Sequence, residues 1–184
     1  MEDIPIDFDF VLKQLLEGFD RLKLRYAAIG GFALAALGAP RATKDLDFMI
    51  HRDDLEALDH LLSALKFRRI LRNENFSQYE GETALWGTLD FQHAFRPLGL
   101  AMLDRALIKP FLAGTRQVRV LQPEDVIGLK IQAIANNPKR RAKDTADIQA
   151  LLAAQSPLDW KRIEEFYGLF GMTDDFKELR ERFE

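Results

Sequence analysis

Between residues 8 and 22, apolar side chains recur at Phe10, Leu12, Leu15, Leu16 and Phe19, with Val11 widening the stripe, and this spacing predicts an amphipathic N-terminal helix. Arg25 to Ile29 reads as a short strand ending at Gly30-Gly31, and the Ala- and Leu-rich run from Phe32 to Leu37 predicts a helix that begins directly after the glycines. Gly38-Ala39-Pro40 breaks that helix. From Lys44 to Ile50 the period changes to two, with Leu46, Phe48 and Ile50 on one face of a strand and Asp45, Asp47 and Met49 on the other. Asp53-Asp54 then supplies an N-cap for a helix through Leu65 that carries Leu55, Leu58, Leu61, Leu62 and Leu65 and covers the sheet.

Further on, Phe67 to Phe91 favours strands, with turn signals at Asn73-Glu74-Asn75 and Glu80-Gly81-Glu82, and predicts an antiparallel meander. Its last strand, Thr83 to Gln92, holds Asp90 between Leu89 and Phe91. A short loop is expected around Pro97-Leu98-Gly99, then two edge strands near Ile108 to Leu112 and Val118 to Leu121, turning at Ala113-Gly114. Pro123 opens a helical remainder: Glu124 to Ala135, Arg141 to Ala153, Asp159 to Tyr167 and Asp174 to Arg182. The expected organisation is a core over 1–122 and a helical region over 123–184 packed on it.

Composition adds exclusions. The 184 residues include no cysteine, so disulfides and thiolate metal sites are out, and only three histidines are left for an imidazole site. His51, His60 and His93 show no ligand spacing, and of these only His93 lies near a candidate acid, Asp90. The acidic N-terminus and the lack of an apolar run of about 20 residues predict neither signal peptide nor membrane span, and fit a reducing cytoplasm. A net charge of −3 argues against coating nucleic acid, although Lys139-Arg140-Arg141 forms a local basic run.

Three carboxylates carry the candidate chemistry. Asp45 and Asp47 share a strand face, and an antiparallel neighbour would bring Asp90 beside them. Three like charges repel. Mg²⁺ resolves the conflict because it takes oxygen ligands, keeps waters, and is commonly held by a few carboxylates plus substrate phosphates. Gly30-Gly31 at a helix start offers backbone N–H groups with no side chain in the way, which suits a triphosphate. Arg41 and Lys44, just before the acids, either pair with a phosphate or neutralise the acids.

In this order, Gly30-Gly31, a short helix, Asp45-Leu46-Asp47 and the strand Phe48-Met49-Ile50 resemble the signature of the nucleotidyltransferase (DNA polymerase beta-like) superfamily. Pro123 to Lys130 with Ala133, followed by Lys143-Asp144-Thr145-Ala146-Asp147-Ile148, resembles the helical half of the AbiEii-type nucleotidyltransferases and their uncharacterised relatives. The resemblance implies an α+β fold, a mixed sheet flanked by helices with a C-terminal helical part. It implies Asp45, Asp47 and Asp90 as catalytic residues and ligands of two Mg²⁺ ions, and Gly30, Gly31, Lys44, Lys130, Asp144 and Asp147 as nucleotide-binding residues. Lys130 would meet a phosphate, with Asp144 or Asp147 orienting it or the acceptor. The activity implied is transfer of a nucleotidyl group from a nucleoside triphosphate to a hydroxyl on RNA or protein, with a toxin role and an antitoxin partner among its forms. Many members carry Gly-Ser where this chain has Gly30-Gly31, so that hydroxyl is absent.

Other readings stay open on the same residues. The acids read equally as solvated groups on an exposed sheet face, Asp144 and Asp147 as a surface ion-pair cluster with Arg140, Arg141 and Lys143, and Lys139 to Arg141 as a solvated helix start. A nucleotide-binding or protein-interaction module without turnover is one alternative function. A small-molecule transferase is another, and would call for an acidic acceptor pocket, for which Glu74, Glu80 and Glu82 are the candidates.

Overall fold

The computed structural model describes residues 8–40, 45–83, 86–111 and 116–183. Seven strands, β1 (Tyr26–Ala28), β2 (Leu46–His51), β3 (Phe67–Arg72), β4 (Phe76–Gly81), β5 (Thr88–Ala94), β6 (Leu107–Phe111) and β7 (Arg116–Val120), form one sheet in the order β3-β4-β5-β2-β1-β7-β6. The sheet is mixed, as expected: β2 runs parallel to β5 and β1 parallel to β7, and the remaining pairs are antiparallel. It belongs to a unit formed by Met1–Ala36 and Arg41–Leu121, together with helices α1 (Phe8–Leu22), α2 (Gly30–Ala36), α3 (Leu55–Ala64) and α4 (Pro97–Asp104). A second unit, Leu37–Pro40 with Gln122–Glu184, carries helices α5 (Pro123–Asn136), α6 (Arg141–Ala154), α7 (Trp160–Leu169) and α8 (Thr173–Phe183).

The period-two alternation at the centre of the sheet sorts its two faces. Leu46, Phe48 and Ile50 on β2 and Leu89 and Phe91 on β5 are buried together. Phe48 stacks on Phe91 at 5.4 Å between ring centroids, and Phe19 of α1 meets both rings edge-on at 5.5 and 6.3 Å. Helix α1 comes this close to α3 through a glycine: a Cβ on Gly18 would stand 2.5 Å from a methyl of Leu61. Tyr79 of β4 completes the cluster, with its ring 5.7 Å from Phe91. Its hydroxyl donates to Asp59 of α3, which also takes the guanidinium groups of Arg69 and Arg72. Burial and the Asp59 hydrogen bond push the Tyr79 phenol up to about 12. Those two arginines and a register shift between Arg69 and Leu71 shield β3, an outer strand that could otherwise pair with another chain.

Several expectations need correction. The neighbour that brings Asp90 beside β2 is parallel, not antiparallel. Strand β7 is no edge, since it sits between β1 and β6. The stretch at Pro97-Leu98-Gly99 opens a helix, α4, with Pro97 in its first turn, where a missing N–H costs nothing. Strand β5 begins at Thr88 rather than Thr83, and Trp86 before it lays its ring 5.6 Å from Phe67. Asp54 makes no capping hydrogen bond to α3, which a 3₁₀ turn at Arg52–Asp54 precedes. Its carboxylate instead accepts from the backbone N–H of Arg25 at 2.8 Å and from that guanidinium at 2.7 and 3.0 Å, tying the start of β1 to the start of α3. The expected turn at Ala113-Gly114 lies outside the described residues.

Phe48 is fully buried at the middle of the ring cluster. Phe48→Ala is expected to cost about 3–5 kcal/mol of stability, read as a lower urea midpoint at unchanged m-value.

Candidate functional site

The face of the sheet opposite the aromatic cluster holds the acids. Asp47 on β2 is the direct cross-strand partner of Asp90 on β5, and Asp90 is the partner of Gln78 on β4. The three therefore form one row across three strands, on residues that the burial pattern leaves half-buried. Asp45 lies just before β2 and is exposed; its Oδ1 accepts from the Thr88 hydroxyl at 2.7 Å. Thr88 pairs in turn with Glu80, and Glu80 with Arg68, which donates to it at 2.9 Å. A second polar row thus runs parallel to the first.

Gly30 begins α2 directly beside this row. Its φ of +58° lies in the left-handed region that favours glycine, and a Cβ there would stand 2.2 Å from Oδ2 of Asp47. The backbone N–H of Ile29, just before it, donates to the Asp47 carbonyl at 2.9 Å. The glycine turn is therefore shaped around the acid, which accounts for Gly30. Gly31 follows it, buried in the first turn of α2. Lys44 and Arg41 lie outside the described residues.

Burial pushes the Asp90 carboxyl above its usual range; the hydrogen bond from Gln78 Nε2, at 2.8 Å to Oδ1, offsets part of this, and the nearby Asp45 charge adds to it. His93, three residues on, points to the other face, so it does not join the acids. Its Nδ1 donates to the Glu74 carbonyl at 3.0 Å and its Nε2 lies 3.0 Å from the Ser77 hydroxyl; burial holds its pKa below the usual value. Among the described residues, no three Asp, Glu or His side chains converge into a ready-made metal cage. The donor set on the acidic face is oxygen only, which fits a Mg²⁺ ion that completes its shell with waters and substrate phosphates. Asp45, Asp47 and Asp90 would hold it.

In the second unit Lys130, Asp144 and Asp147 come together, and they are buried rather than at the surface. The Lys130 ammonium donates to Asp144 Oδ1 at 2.9 Å and to Asp147, and Arg140 donates through Nε to Asp144 Oδ2 at 2.8 Å. Burial pushes the Asp144 carboxyl up, but the donors Arg140 and Lys130 overrule it and hold it below the usual range. Arg140 ends a 3₁₀ turn at Pro138–Arg140, and Arg141 pairs with Asp175. The candidate acidic cluster does not assemble: Glu74 sits in the β3–β4 turn near Arg52, at the far end of β4 from Glu80 and Glu82.

Gln78 and Thr88 escaped the sequence reading. Alternation along β4 and β5 carried the signal, since Thr88 is two residues from Asp90 and faces the same way.

An Asp144 carboxyl held low contributes stability above its ordinary range and loses it as pH falls through the lowered value. Lys130→Met leaves two buried acids without their shared cation and is expected to cost about 3–5 kcal/mol near neutral pH. The deficit should narrow in acid as Asp144 protonates, with pH falling below the ordinary carboxylate range, which thermal melts of both proteins across pH would read.

The family model described as "Uncharacterised nucleotidyltransferase" matches residues 8–167, and the chain belongs to that family. Comparison with curated proteins gives no match. Among solved structures, the antibiotic-resistance factor ANT(2'')-Ia is similar at a TM-score of 0.67 and 16% identity, over 94% of this chain and 96% of that one. The lincosamide antibiotic adenylyltransferase LnuA is similar at 0.57 and 13%, over 83% and 100%. An antigenic nucleotidyltransferase-like protein from Paracoccidioides brasiliensis is similar at 0.59 and 18%, over 95% and 94%. These likenesses establish a nucleotidyltransferase fold.

Proposed function

We propose that this member of the uncharacterised nucleotidyltransferase family moves a nucleoside monophosphate from a nucleoside triphosphate to a hydroxyl acceptor, with Mg²⁺ at Asp45, Asp47 and Asp90. The observation that carries the reading is the pairing of Asp47 with Asp90 on adjacent strands, with Gly30 pressed against Asp47. In such sites Mg²⁺ lowers the pKa of an attacking hydroxyl and steadies the pyrophosphate that leaves. The chain's own part is positional. Asp45 and Asp47 would hold Mg²⁺ with the triphosphate, Gly30 and Gly31 leave room for phosphate against backbone N–H groups, and Asp90 would share in holding Mg²⁺ beside the acceptor hydroxyl and take its proton. Burial raises the affinity of the Asp90 carboxyl for a proton, the direction a proton acceptor needs. In the second unit, Lys130 is spent on Asp144 and Asp147 and sits buried. Its service to the nucleotide is to fix that helical framework, with Asp144 and Asp147 as its partners. Lys44 stays with the nucleotide on the strength of the resemblance alone, as do an RNA or protein acceptor and an antitoxin partner.

A small hydroxylated acceptor is the second reading. It is favoured by near full-length likeness to two antibiotic transferases. The groove of about 420 Å³ beside the acidic face mixes Lys66 and Arg68 with Glu80 and Glu82, so it suits a polar acceptor with little net charge.

The test is transfer of α-³²P label from each of ATP, GTP, CTP and UTP, with Mg²⁺, into RNA, protein and a panel of hydroxylated small molecules. Asp47→Asn and Asp90→Asn are each expected to lose transfer by about 100-fold or more. Label transferred equally by wild type and both variants would overturn the assignment. Gly30→Ala should fail as well, through a Cβ driven against Asp47, with Mg–nucleotide affinity down at least about tenfold by calorimetry.

A further inference from the structure

Gln78 is the one hydrogen-bond donor to Asp90 among the described residues, and its choice of atom is informative. It stands directly across from Asp90 in the β4–β5 ladder, so backbone register, rather than a flexible loop, presents its carboxamide to the acid. Nε2 takes Oδ1 at 2.8 Å and leaves Oδ2 without a hydrogen bond among the described residues. A carboxamide can fix a carboxylate's rotation without cancelling its charge. Lysine or arginine at the same place would fix it more strongly but would compete with a divalent cation for the same oxygens. Gln78 is itself half-buried, on the same strand face as Asp90.

We infer that Gln78 is the positioning residue of the site: it locks Asp90 through Oδ1 so that Oδ2 faces the reacting groups. The inference rests on the reading of Asp90 as part of the transferase site. Thr88 does the corresponding service for Asp45, donating from its hydroxyl to Oδ1 at 2.7 Å, so two of the three acids are turned by neutral donors from strands β4 and β5.

Two variants separate orientation from charge. Gln78→Met keeps the length and removes the donor; Gln78→Lys keeps a donor and adds a cation. For Gln78→Met we expect kcat to fall about 10- to 100-fold, as for other residues that orient a ligand from behind. The KM for nucleotide should stay within about twofold and the melting temperature should be unchanged, because the fold and the phosphate contacts are untouched. For Gln78→Lys we expect Mn²⁺ affinity, measured by electron paramagnetic resonance of the free ion, to fall at least about tenfold, while Gln78→Met holds it within about threefold. A crystal structure of Gln78→Met reads the orientation without any turnover: the Asp90 carboxylate should turn from its wild-type position. A folded Gln78→Met with wild-type kcat, a loss confined to KM, or an Asp90 carboxylate that does not move would each overturn the assignment. If wild type transfers no nucleotide to any acceptor, the functional reading fails; the Mn²⁺ and crystallographic measurements still decide the role of Gln78.

Discussion

Two carboxylates held side by side on neighbouring strands are the constraint around which the first unit is built. Asp47 and Asp90 are register partners on the half-buried face, and burial together with the nearby Asp45 charge raises the Asp90 carboxyl. A sheet relieved of that pairing by a one-residue slip would have to turn Phe48 and Phe91 out to the polar face, because the side-chain period is two. The stacked rings, with Phe19 edge-on to both, oppose the slip. Core and acids are thus two faces of one register: aromatic burial on one side holds the acidic row in place on the other. The turn at Gly30 adds the last piece, since its left-handed backbone lets the start of α2 approach Asp47 where any side chain would collide.

The chain also contains the opposite solution to a buried acid. Asp144 in the second unit is fully buried, yet Arg140 and Lys130 hold it ionised, while Asp90 is half-buried, accepts from the Gln78 carboxamide among the described residues, and is pushed by burial toward its neutral form. The cause in both cases begins with burial; the partners decide the sign. A saturated cluster of this kind fixes helices α5 and α6 to each other and leaves little for a ligand, whereas a carboxylate kept short of cationic partners is available for a metal ion or a proton. That contrast separates framework from chemistry more sharply than the presence of acids alone.

Much of this was legible in the residues. Period-two stretches such as Leu46 to Ile50 and helical stripes such as Leu55 to Leu65 announce their elements because burial on one face leaves a mark every second or every third and fourth position. Asp45 and Asp47 were visible as acids on the same face for that reason. The strand partner of β2 was not, because parallel and antiparallel neighbours bury the same side chains, and the choice depends on where the chain returns after β4. Helix α4 hid behind Pro97 and Gly99, which signal a turn in isolation but are tolerated in a short helix whose first turn holds the proline. Asp54 looked like a cap because capping residues are short and acidic, yet a guanidinium offering two donors, plus a backbone N–H, outcompetes a single helix N–H. The burial of Lys130 could not be read from its own helix, since it depends on acids 14 and 17 residues away.

The polar rows also constrain what an acceptor can be. From Asp90 the face continues through Gln78, and from Asp45 through Thr88 to Glu80, whose charge Arg68 already occupies. Glu74, which an acidic acceptor pocket would have recruited, is carried to the other end of β4 by the length of that strand. Along this face Glu80 is engaged by Arg68 and Glu74 lies at the other end of β4, which leaves Glu82 at the groove. The side chains at even positions of β4 and β5 share the parity that sets Asp90 beside Asp47, so the register that places the acids also places the polar groups around them.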